Sequence, residues 1–159
     1  MKKHDFARSF KELIVYQKSR EVSKALFVLT SRFPKEEMYS LTDQIRRSSR
    51  SIGAQIAEAW AKRRYPNHFT SKLTDADGEQ LESQHWLTTA YDCEYISEET
   101  LQSLTGEFQE IGKMLQRMID RADSFAGHVS SSLKESPSHY GSINKFFINT
   151  EHRTLNTEY

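Results

Sequence analysis

The chain has 159 residues, within the size of one folded domain, and 36% of them are hydrophobic. No apolar run reaches the roughly 20 residues of a membrane-spanning helix, and the lysines at the start precede no continuous apolar segment, so neither a membrane protein nor an exported one is expected. Lys and Arg total 22 against 22 for Asp and Glu, which predicts no extended field of the kind that marks many nucleic-acid binders and leaves only local contact open.

The first helix is predicted over about residues 10–31, with Val15, Val22, Leu26, Leu29 and Phe33 on one face. It should stop ahead of Pro34, because the residue before a proline is driven out of the α region. The second segment repeats Met38, Leu41, Ile45, Ser49, Ile52, Ile56 and Trp60 every three or four positions and ends before Pro66. Gly53 lies inside it, where glycine costs about 1 kcal/mol relative to alanine, so clearance for a neighbouring helix is its simplest reason.

A third helix over about 67–92 carries Phe69, Leu73, Ala76, Leu87 and Ala90, with Gln80 and Ser83 at the intervening stripe positions. The fourth has the strictest pattern: Leu101, Leu104, Phe108, Ile111, Leu115, Met118, Ala122 and Phe125 alternate by three and four behind an N-cap at Ser97. Four amphipathic helices on short connections predict an all-α fold, an antiparallel up-and-down four-helix bundle over residues 10–124. Residues 1–9 read as a flexible N-terminus. Residues 125–159, rich in Ser, His, Asn and Thr, read as a disordered or partner-docking tail, whose apolar island is Ile143, Phe146, Phe147 and Ile148.

Chemistry has few footholds. The single cysteine, Cys93, reads as a buried thiol in a reducing compartment, which with the missing signal segment predicts a cytoplasmic protein. No glycine-rich phosphate loop occurs. Glu82 and His85 have the Glu-x-x-His spacing of a di-iron bundle, but a ferritin-like site needs a second such motif and two further glutamates, and none is present. Neither a metal, another cofactor nor a catalytic residue is expected, and a metal-binding bundle enzyme is the least favoured alternative.

Two features of the second helix stand out. Beside the apolar stripe runs a polar one, Gln44, Ser48, Ser51, Gln55 and Glu58, which either faces water or forms a second interface between subunits. Arg46, Arg47 and Arg50 form a basic cluster, and Lys62, Arg63 and Arg64 form another three turns on. Guanidinium groups suit phosphates through paired hydrogen bonds, although Asp43 could equally pair with Arg46 or Arg47.

These residues resemble those of a bacterial family, the four helix bundle or 23S rRNA-intervening-sequence proteins. The resemblance covers about residues 10–122: FKELIVY at Phe10–Tyr16, Phe33-Pro34, Glu37–Leu41, and above all QIRRSSRSIGAQIAEAW, where the family has a paired arginine, small residues and Ser-Ile before Asn-Ile-Ala-Glu-Gly. Ala76, Gly78 and Glu82 resemble a later family motif, and Tyr95-Ile96-Ser97 its entry into the fourth helix. Gln55, Ala59 and Glu79 depart from the family's usual Asn, Gly and Ser, each adding bulk.

The resemblance implies a homo-oligomer, typically a pentamer around a central channel, with no known catalytic activity. It leads to the expectation of a non-catalytic oligomeric scaffold in contact with RNA or DNA. A related branch, the accessory variability determinants of diversity-generating retroelements, looks similar in fold and binds nucleic acid and a reverse transcriptase through basic surfaces. That accessory role is the alternative, disfavoured here by the neutral composition.

Overall fold

The computed structural model describes residues 7–127. Four α-helices account for most of them: α1 (Ile14–Thr30), α2 (Leu41–Ala61), α3 (Pro66–Asp92) and α4 (Glu98–Ile119). Consecutive helices pack against each other and α1 closes on α4, with the α2–α3 contact the most extensive. The result is the antiparallel up-and-down bundle that the periodicity predicts.

The apolar stripes meet in one core. Val15, Val22 and Leu26 of α1, Ile45, Ile52 and Ile56 of α2, Phe69, Leu73 and Leu87 of α3, and Phe108, Ile111 and Leu115 of α4 are all buried. Each such side chain contributes about 1.5–3 kcal/mol on removal from water. Met38, expected on the core stripe, is 49% exposed in the turn before α2, because the helix begins only at Leu41.

Helix ends follow local chemistry. Residues Phe10–Glu12, expected inside the first helix, form a separate 3-10 turn capped by the Ser9 hydroxyl, and extended Leu13 then starts α1. Pro66 occupies the first turn of α3, where a missing N–H costs nothing. The Ser97 hydroxyl accepts from the Thr100 N–H at 3.2 Å, the N-cap that the sequence predicts. Helix α4 breaks at Asp120–Arg121, but residues 122–127 are helical again, and Phe125 stacks on Phe69 with ring centroids 5.0 Å apart. The ordered bundle therefore runs beyond 124 and includes Ser9; the expectations for residues 1–6 and 128–159, including the apolar island at 143–148, lie outside the described residues.

Cys93 is exposed at the C-cap of α3, not buried, because the helix ends there in a tight turn. At Gly53 an added Cβ would lie 3.3 Å from the Ser19 hydroxyl and 3.5 Å from the Tyr16 ring, so the glycine does give α1 close approach to α2. No helix among the described residues is long and apolar enough to cross a membrane.

Candidate nucleic-acid interface

The polar stripe of α2 runs along the seam with α3. Ser48 is 1% exposed; its hydroxyl donates to the Gln44 carbonyl at 3.0 Å and accepts from the Ser83 hydroxyl at 2.9 Å. Further along, Lys72 of α3 donates to the Gln55 amide oxygen at 3.1 Å and pairs with Glu58 at 2.9 Å. Gln44, Ser51 and Gln55 are half-buried and Glu58 is exposed. Ser48, predicted at a subunit interface, is thus spent inside its own bundle, because α3 presents the Ser83 hydroxyl opposite it. Gln80 is buried too, held by the Asp77 carboxylate at 3.0 Å and the Gln84 amide.

The three clustered arginines divide. Arg46 and Arg50 are four apart and share a face, whereas Arg47 is turned by about 100°. Arg46 reaches α1: it donates to the Thr30 hydroxyl at 2.8 Å and its guanidinium lies 4.6 Å from the Phe27 ring centre. Arg50 approaches the same ring at 5.8 Å. Arg47 is exposed on the α3 side, where its charge acts on Glu79. Among the described residues Asp43 forms no ion pair with Arg46 or Arg47, and the only bridges are those of Lys18 to Glu107 and Glu110 and of Lys72 to Glu58 and Asp75.

The second cluster lies in the α2–α3 turn. Arg63 folds back over Trp60 at 4.3 Å and donates to its carbonyl at 2.7 Å. Burial, with Arg64 beside it, lowers the Arg63 pKa from its ordinary value. Lys62 and Arg64 are exposed. Glu82 and His85 both engage Trp86, the carboxylate accepting from the indole N–H at 3.0 Å and the imidazole resting on the ring at 4.7 Å. Among the described residues no three potential metal-ligating side chains gather.

What the whole-chain charge conceals is its division between helices. Residues 7–65, which build α1 and α2, hold 13 Lys and Arg against 6 Asp and Glu; residues 66–127, which build α3 and α4, hold 4 against 12. The bundle places α1 and α2 side by side in one layer and α3 and α4 in the other. A neutral protein therefore carries most of its positive charge on the α1–α2 layer and most of its negative charge on the α3–α4 layer. Counting charge helix by helix would have found this in the sequence.

This architecture defines an all-α bundle protein with a charge-divided surface. The family pattern of the 23S rRNA-intervening sequence proteins matches residues 11–117, and the chain belongs to that family. It is also similar to a crystal structure from Bacteroides thetaiotaomicron, of a protein of unknown function from the S23 ribosomal protein family. The two are 32% identical with a TM-score of 0.61, over 67% of this chain and 96% of the other. No curated protein matches the chain.

Proposed function

We propose that this chain is a non-enzymatic cytoplasmic scaffold that assembles with copies of itself and presents its basic α1–α2 layer to RNA. The division of charge carries the reading: a layer with a surplus of seven positive charges attracts a polyanion by releasing its condensed counterions, whatever the net charge of the whole. Assembly has support from large exposed apolar side chains, Val28, Met38, Tyr39 and Tyr91, at the bundle end that holds the α1–α2 and α3–α4 connections. The family resemblance favours five copies. Repeating the basic layer around a ring would raise avidity without new contacts.

Light scattering coupled to size exclusion tests both parts on the full chain, alone and with a short single-stranded RNA. The proposal requires a mass that is a multiple of 18.5 kDa and an RNA that co-elutes with it. An 18.5 kDa species at micromolar concentration removes the assembly, and RNA eluting alone at low salt removes the contact.

The charge division also favours a second reading, an accessory role beside a reverse transcriptase and its template RNA, since neutrality was the objection to it. A reverse transcriptase encoded next to this protein and retained by it on a column would support that role.

A further inference from the structure

A groove of about 500 Å³ runs between α1 and α2, within the range of about 300–1,000 Å³ typical of ligand sites. Three cations line it, Arg20 and Lys24 one turn apart on α1 and Arg50 across from them on α2, and no carboxylate does. Among the described residues, the Arg20 and Lys24 side chains have no hydrogen-bond or ion-pair partner, and that of Arg50 only nears the Phe27 ring. Aromatic rings complete the wall: Phe27, 48% exposed with the Arg46 and Arg50 guanidiniums against its ring, and the half-buried edge-to-face pair Phe10 and Tyr16 at 4.9 Å. The floor is lowered by Gly53. Cations without a carboxylate partner beside partly exposed rings are the pairing that single strands require, with phosphate on the charges and a base on a π-face.

We infer that this groove is a nucleotide-binding site for single-stranded RNA, in which Arg20, Lys24 and Arg50 hold phosphate and the Phe10, Tyr16 and Phe27 rings receive a base. The inference rests on the RNA contact proposed above and gives it a location.

Fluorescence anisotropy on the full chain decides it, with a labelled uridylate decamer, unlabelled uridine monophosphate as competitor, and light scattering on every variant. Replacing Arg20, Lys24 and Arg50 by Gln together should weaken decamer binding by about tenfold or more at low salt, while replacing Lys62, Arg63 and Arg64 by Gln should weaken it less. The decamer should also bind more tightly than the monophosphate; equal affinity would identify a free-nucleotide site and overturn the strand. If the wild-type protein binds and the groove variant binds as well, the groove is not the site, although the RNA contact stands. If the groove variant loses assembly mass while retaining its helical circular dichroism, the groove is an interface between copies and the inference fails. Absence of any wild-type binding at about 50 mM salt removes both the groove and the wider RNA reading.

Discussion

The Ser83 hydroxyl donates to the Ser48 hydroxyl across 2.9 Å in the buried seam between α2 and α3. Ser48 in turn donates to the Gln44 carbonyl of its own helix at 3.0 Å, and the single Ser83 proton is shared between Ser48 and the Glu79 carbonyl, also at 2.9 Å. Two hydroxyls facing each other across the buried part of the seam favour one register of α2 against α3. Ser83→Ala should therefore cost about 0.5–1.5 kcal/mol, the net worth of one hydrogen bond. Denaturant unfolding of Ser48→Ala, Ser83→Ala and the double variant should show coupling between the sites, whereas strictly additive losses would mean that each serine serves only its own helix.

Glu94 has a φ of 60°, the left-handed conformation at the end of α3. The Tyr95 N–H bonds to the Ala90 carbonyl at 2.9 Å and the Glu94 N–H to that of Tyr91 at 2.8 Å, the paired bonds of a Schellman cap. Glycine is the usual residue at that position, since a side chain in this region costs roughly 1–2 kcal/mol. Glu94→Gly should raise the thermal midpoint by a few degrees, part of the relief being offset by the greater freedom of the unfolded chain. A lower midpoint would show that the Glu94 side chain contributes something its backbone does not reveal.

Burial, then the neighbouring Glu82 carboxylate, raises the Glu79 pKa, and Arg47 partly opposes the shift. A carboxyl with a raised folded-state pKa destabilises the folded protein when it is ionised. The penalty is therefore full at neutral pH and vanishes as the pH falls below the unfolded value near 4.3. Glu79→Gln should be more stable than wild type at pH 7, with the gap closing toward pH 4. Unfolding midpoints across that range check the sign, and a variant less stable at pH 7 would mean that the pairing with Arg47 dominates.

The fold was legible because its signal is periodic: the stripe at Phe69, Leu73, Ala76, Gln80, Ser83, Leu87 and Ala90 of α3 is buried at every position. Its polar members read as a weak stretch of helix, yet they mark where Ser48 would find its partner. Ser48 departs from its stripe for a related reason, since a serine can satisfy its hydroxyl on the preceding turn and so be buried where the pattern suggests an outer face. Arg20 and Lys24 carry no signal in the sequence because they are isolated cations there; only the packing of α1 on α2 brings them opposite Arg50. Glu94 could not be foreseen, as glutamate is no signal for a left-handed cap.

The salt dependence of RNA binding by the full chain tests the proposed basic layer most directly, with an equal loss of charge made on each layer. Log affinity should fall linearly with log salt, by about 0.7 for each phosphate contacted by a single strand. Replacing Arg46, Arg47 and Arg50 by Gln should flatten that line, and replacing Lys113, Arg117 and Arg121 by Gln, on or just beyond α4, should leave it unchanged. Equal slopes for all three proteins, or no binding even at about 50 mM salt, would contradict the account.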